Sequence, residues 1–333
     1  MMLKERIINY NHPLPYMRSN EKNVIKIGLI GFGNIGQKRL EALKNIKSVR
    51  YKIIYILDKK IKNEKDIYFK SINRVKLKKV DLLIVCLPTD QVVKTLKSIN
   101  WNFKYLLLEK PGFNNLNVFK QFIKKANKKK IYIRIGYNLR FDEGIIKARN
   151  FLSDGKIGKL YSIKINYSNG TAKSNTNKIG SLFDIGSHSV NLIQWLLNSP
   201  DIGRKFKFIQ KNEFMGKRKD DNGYIIARFK KIIIFLHFGF CSWENTFELE
   251  LIGSKGFVKV FSLPKWKEGQ KVMYGKRVFP SGKPIIRNWT FKEENSFKNE
   301  LLNILNDVNK NSLFNKKLNF SELDTTQELN LIK

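Results

Sequence analysis

Residues 24–46 read VIKIGLIGFGNIGQKRLEALKNI, and this stretch decides the N-terminal fold. A β-branched apolar run passes into glycines and then into Leu40, Leu43 and Ile46, which have helical spacing. Strand, tight turn and helix follow in that order. Gly31, Gly33 and Gly36 form GxGxxG at the junction. In that pattern the first glycine turns the chain, the second lets a pyrophosphate approach the backbone, and the third lets helix pack on strand. The helix N-terminus then offers unpaired N–H groups to the anion. Gly31, Phe32, Gly33, Asn34, Ile35 and Gly36 are therefore the expected dinucleotide turn. Alone the motif is weak. Asp58 sharpens it, standing 22 residues after Gly36 at the end of the next strand, where a carboxylate accepts hydrogen bonds from the adenosine ribose. Asp58 repels a 2′-phosphate and favours NAD, whereas Lys59 and Lys60 could hold that phosphate and keep NADP as the alternative.

Outward from this stretch the chain alternates. Tyr51 to Leu57 reads as a second buried strand, with a weaker one near Ile67 to Phe69. Strands at Asp81 to Leu87, Tyr105 to Leu108 and Ile131 to Ile135 are separated by helical patterns at Gln91 to Ile99 and Leu116 to Asn127. Such spacing predicts right-handed βαβ units and a doubly wound parallel sheet over residues 24–137, after an N-terminal extension of residues 1–23. After about Asn138 the rhythm changes. A helix near Asp142 to Ser153 leads to GKLYSIKINYS, and YIIARF, KIIIFLHFGF, FELELIG and FVKVF then follow with short turns. Closely spaced strands without helices between them predict a mostly antiparallel open sheet, so residues 138–333 read as an α+β domain. Helices are expected near Phe183 to Leu197 and Ser296 to Val308.

The chain has 333 residues and a formal net charge of +36, from 64 Lys+Arg against 28 Asp+Glu. Clustered basic residues attract phosphates, which raises nucleic acid as a partner. The lysines are scattered, however, with short runs such as Lys124 to Lys130 at an expected helix end, where cations complement the helix dipole. No specific nucleic-acid site follows. Cys86 and Cys241 lie far apart in apolar runs, without disulfide or metal-ligand spacing, so no metal is expected. The longest apolar run, Ile232 to Cys241, is about half a membrane span. The first 23 residues lack a signal-peptide core. The expectation is a cytoplasmic protein without membrane insertion.

Glu109-Lys110-Pro111 ends the strand LLLEKP, putting an ammonium at the carboxyl edge of the parallel sheet, where ligands of open α/β sheets bind. Asp184 and His188 stand four apart, on one face if the segment is helical. Histidine titrates near neutrality and suits proton transfer from a hydroxyl, and a neighbouring carboxylate can orient it. Taken alone, a surface ion pair at Glu109 and a helix-capping Asp184 account for these residues equally well. His237, in an apolar strand, reads as a satisfied structural histidine.

GFGNIG, CLPT, EKP, GYNLRF at Gly136 to Phe141, and SLFDIGSHSVNLIQWL, in that order, resemble the Gfo/Idh/MocA oxidoreductase family over nearly the whole chain from Val24. The resemblance implies a Rossmann domain followed by an α+β domain with a substrate pocket on one sheet face and a homodimer or homotetramer contact on the other. It implies catalytic roles for Lys110, Asp184 and His188, with His188 the base oriented by Asp184. It implies cofactor contacts at Pro88, Thr89, Glu109 and Lys110, and a substrate cleft lined by Lys110, Asn138, Arg140, Asp184 and His188. Val92 departs from the family, which frequently has histidine there. The chain also stops at Lys333 soon after its last helical run, so part of the usual terminal helix is expected to be missing. The implied activity is NAD(P)-dependent hydride transfer at a secondary alcohol or ketone of a sugar, cyclitol or sugar nucleotide, as in surface-polysaccharide biosynthesis. A noncatalytic NAD(P)-binding sensor is the alternative.

Overall fold

The computed structural model describes residues 24–58, 77–113, 115–170, 179–199, 206–212, 214, 220–266, 268–280 and 282–310. The opening stretch forms strand β1 (Ile25–Ile30) and helix α1 (Asn34–Lys44), joined by the glycine turn. β2 (Tyr51–Leu57), β3 (Leu82–Val85), α2 (Thr89–Ser98), β4 (Tyr105–Glu109), α3 (Leu116–Lys128) and β5 (Tyr132–Gly136) follow. The strand expected near Ile67 to Phe69 lies outside the described residues. The sheet has order β2-β1-β3-β4-β5 and every pairing is parallel.

Strand alternation divides this sheet between two cores. Leu83, Val85, Leu106 and Leu108 face α2 and α3, packing with Leu96, Phe119 and Ile123. Ile27, Leu29, Leu82, Ile84 and Leu107 face α1, packing with Leu40 and Leu43. Right-handed crossovers from β3 to β4 to β5 run in one direction and place α2 and α3 together, so α1 alone cannot cover the opposite face. The missing cover comes from the far end of the chain. Helix α6 (Ser296–Lys310) lays Leu301, Ile304, Leu305 and Val308 into the α1-side core. Burying a leucine or isoleucine contributes roughly 1.5–3 kcal/mol, so these side chains hold the helix firmly. Helix α6, the last described element of the chain, thus packs on the first sheet.

Arg39 is where α1, β4 and α6 meet. Its side chain is 0% exposed, with Nε donating to Glu109 Oε1 and Nη1 donating to Glu300 Oε2, each at 2.6 Å. Its guanidinium lies 4.7 Å from the Phe297 ring centre. A Cβ on Gly136 would stand 2.6 Å from Arg39 Nη2, so glycine makes room for the cation. Burial opposes the charge, yet the two carboxylates hold the guanidinium above its usual range.

The second sheet runs β13-β12-β11-β10-β6-β9-β8-β7, antiparallel except for the parallel pair β6 (Leu160–Ser168) and β9 (Ile232–Gly239). The other strands are β7 (Phe206–Asn212), β8 (Asn222–Phe229), β10 (Thr246–Gly253), β11 (Gly256–Phe261), β12 (Gln270–Val278) and β13 (Gly282–Phe291). Helices α4 (Glu143–Ser153) and α5 (Ser187–Leu196) cover one face, burying Ala148, Val190 and Ile193 on Ile163, Ile165, Leu249 and Val260. The other face exposes Tyr161, Tyr224, Ile226, Ile233 and Phe235. There His237 is satisfied, its ring nitrogens 2.7 and 2.8 Å from the Asn166 and Asn222 side-chain oxygens. No described helix is long and apolar enough to cross a membrane.

Removing one partner of a buried ion pair strands the other charge, which costs about 3–5 kcal/mol. Arg39→Met is expected to lower unfolding stability by that amount in urea titrations, and adding Glu300→Gln should recover part of the loss.

Candidate active site

The three glycines of the turn have separate surroundings. Gly31 has φ +92°, and a Cβ there would lie 2.5 Å from the Cys86 carbonyl oxygen. A Cβ on Gly36 would overlap the Gly31 carbonyl, so this glycine sets the close approach of α1 to the turn. Gly33 differs, because nothing lies within 4 Å of its added Cβ. It faces a cleft of about 1430 Å³ between the two sheets, which Asn34 and Ile35 also line. No side chain caps the start of α1. Its first N–H groups and the open side of Gly33 suit a dinucleotide pyrophosphate. Asp58 ends β2 beside the turn, and its Oδ2 accepts a 2.6 Å bond from Phe32 N. That carboxylate braces the turn directly. Gly31, Phe32, Gly36 and Asp58 support the cleft wall without lining it.

Pro88 and Thr89 line the same cleft at the start of α2. Val92 is buried in the α2-side core, so the position where the family often has histidine serves packing here. Glu109 reaches the cleft wall with its carboxylate turned onto Arg39. Lys110 follows it, and its Nζ donates to the Asp184 carbonyl at 3.0 Å and to the Asp184 carboxylate. The Lys110–Pro111 peptide is cis.

Asp184 and His188 do not pair as the helical spacing predicts. Residues Leu182–Gly186 form a π-helical turn, and α5 begins only at Ser187. The wider turn changes the angular offset between positions four apart, and the Asp184 carboxylate goes to Lys110. His188 is 7% exposed, and its buried Nδ1 has no hydrogen-bond partner among the described residues. Tyr137 and Tyr167 hold the imidazole edge-on, with ring centres at 5.7 and 6.0 Å. Burial, with help from Lys110 and Lys265, pushes His188 well below its usual pKa, so the ring is neutral at pH 7.

Asn138 lines the cleft and donates from Nδ2 to Ser296 Oγ at 2.7 Å. Arg140 does not line it, which corrects the expected substrate contact. Residues Asn138–Phe141 form a 3₁₀ turn, whose three-residue period sends Arg140 to a different side from Asn138. Its Nε is buried without a partner, and burial followed by the Arg134 charge pushes its pKa down to about 10. Tyr167, Lys38 and Lys265 also line the cleft and were not singled out from the sequence. Tyr167 carried a signal, since alternation puts it on the same face of β6 as Ile163 and Ile165. The two lysines carried none.

Residues 25–137 match the description "Oxidoreductase family, NAD-binding Rossmann fold", and residues 149–316 match "Oxidoreductase family, C-terminal alpha/beta domain". The chain is 22% identical over 249 residues to inositol 2-dehydrogenase of Salmonella typhimurium, covering 71% of this chain and 74% of that protein. An oxidoreductase from Sinorhizobium meliloti superposes with a TM-score of 0.72 at 15% identity, covering 93% of this chain and 96% of the other. A 3-ketoreductase from Actinomadura kijaniata, solved with TDP-benzene and NADP, gives a TM-score of 0.69 at 15% identity, over 93% and 96% of the two chains. At these identities the solved structures establish the shared fold.

Gly33 and Gly36 separate cofactor contact from folding. Gly33→Ala is expected to change stability by less than about 1 kcal/mol yet weaken NADH binding roughly tenfold or more in fluorescence titrations. Gly36→Ala is expected to lower both, because its methyl group has no room. The open Gly33 turn, the two sheets sharing one cleft and the two matched segments make this chain an NAD-binding oxidoreductase of the Gfo/Idh/MocA family.

Proposed function

We propose that this enzyme interconverts a secondary alcohol and a ketone on a sugar, cyclitol or sugar nucleotide, with His188 exchanging the proton. The carrying observation is one cleft lined by a neutral buried imidazole, the Lys110 ammonium and the open side of Gly33. NAD, when bound, supplies the two-electron acceptor that turns CH–OH into C=O and leaves one proton for the protein to take. His188 accepts that proton from the hydroxyl. Lys110 stabilises negative charge on the same oxygen as the O–H bond breaks. Asp184 acts through Lys110, fixing the ammonium with its carbonyl and carboxylate. In the reverse direction a protonated His188, disfavoured by burial and two lysines, returns its proton readily to the carbonyl oxygen. The position of Asp58 supports NAD over NADP. The inositol 2-dehydrogenase relative supports a cyclitol-like substrate, and the 3-ketoreductase neighbour a nucleotide-linked one. The exposed apolar sheet face with Ile233 and Phe235 supports self-association.

His188→Ala and Lys110→Ala are each expected to lower turnover by roughly 10² or more with NADH binding unchanged, assayed over a panel of sugars, inositols and sugar nucleotides. A noncatalytic sensor would bind NADH and turn over no member of that panel. The pH profile supplies a separate check. A lowered pKa keeps the proton-accepting form present below pH 6.5, and it is lost only as pH falls through the lowered value. The acid limb of kcat/KM for alcohol oxidation should therefore lie below pH 6.5. A limb at or above that value contradicts the role of His188.

A further inference from the structure

Lys38 and Lys265 enter the cleft from different domains. Lys38 stands on α1, two residues past the third glycine, and Lys265 lies in the loop after β11. Neither makes an ion pair among the described residues, whereas Lys110, in the same cleft, is tied to Asp184. Burial is the main force against the charge on Lys265; Glu294 favours that charge, and Lys38 and Lys110 oppose it. The carboxylates on this side are Glu294 and Asp142. Glu294 is engaged by Ser296, accepting from its backbone N–H at 3.2 Å and from its hydroxyl. Burial, reinforced by Glu294, raises the Asp142 carboxyl to about 7. Lys38, Lys110, Lys211 and Lys265 line the same cleft as His188, and among the described residues only Lys110 makes an ion pair with a carboxylate. Like charges brought into one cleft repel, and an anion between them relieves that repulsion.

We propose that Lys265, with Lys38 across the cleft, binds an oxyanion of the substrate, so that the preferred substrate is a phosphorylated, diphosphate-linked or carboxylated sugar or cyclitol. This rests on the hydride-transfer reading above and narrows its substrate class. The same site explains how one cleft can receive a polyol at His188 while a charged substituent is held a short distance away. Lys265, in a loop of the second domain, can reach the substrate without forming part of the dinucleotide turn.

The test is calorimetric titration of the NADH-saturated protein with D-glucose, D-glucose 6-phosphate, D-glucuronate and UDP-glucose, paired with NADH titration of the protein alone. At least one anionic probe is expected to bind tenfold or more tighter than glucose, and the probe that does so distinguishes monoester, carboxylate and diphosphate. Lys265→Ala should remove most of that advantage, Lys265→Arg should keep it, and both should bind NADH as the parent protein does. Glucose binding as tightly as every anionic probe, or no anionic probe binding, overturns the proposal. So does a Lys265→Ala effect that falls equally on glucose and the anions, or on NADH instead, which would assign the lysine to a cofactor phosphate. Failure of the hydride-transfer reading would show differently, as absence of turnover with the selective binding intact.

Discussion

The guanidinium of Arg39 joins Glu109 and Glu300 in a place closed to water. Each of the three residues belongs to an element that the site needs. Arg39 is on the helix that opens at the dinucleotide turn, Glu109 immediately precedes Lys110, and Glu300 is on the returning helix α6. Breaking any one leaves charge in a low-dielectric interior, so the three elements move together or not at all. Hydrophobic packing of Leu301, Ile304 and Leu305 brings α6 to the sheet, and the ion network fixes how it sits there. The cleft wall that holds Lys110 is stiff because of what lies behind it.

In front of that wall the charges are arranged differently from a simple acid–base pair. Asp184 anchors Lys110, and His188 is kept neutral by burial and by nearby ammonium groups. A carboxylate against His188 would stabilise its protonated form. Here burial, Lys110 and Lys265 instead favour the unprotonated imidazole. The +36 charge of the chain acquires a local meaning only where lysines meet in this cleft.

Much of the fold was legible because it rests on short-range rules. The short apolar runs of β1, β3 and β4, and the placement of Gly31, Gly33 and Gly36 between strand and helix, need no knowledge of distant residues. The change to an antiparallel sheet near residue 138 was visible for the same reason. Lys110 and His188 both line the cleft, Lys110 where the fourth strand ends and His188 at the start of a helix. Arg140 stands off the cleft because at three residues per turn the 3₁₀ segment puts it on another side from Asn138. Asp184 failed as the partner of His188 because a π-helical turn altered the spacing.

The sequence by itself determined the dinucleotide turn, the two sheet types and the order of Lys110, Asp184 and His188 along the chain, since each depends on local backbone geometry or on residue order. Only the tertiary structure decided which groups those residues meet. The return of α6, the burial of Arg39 between two carboxylates, the pairing of Asp184 with Lys110 and the meeting of Lys38 with Lys265 all join residues distant in sequence. Contacts of that kind follow from packing and desolvation across the whole chain, and no local pattern encodes them.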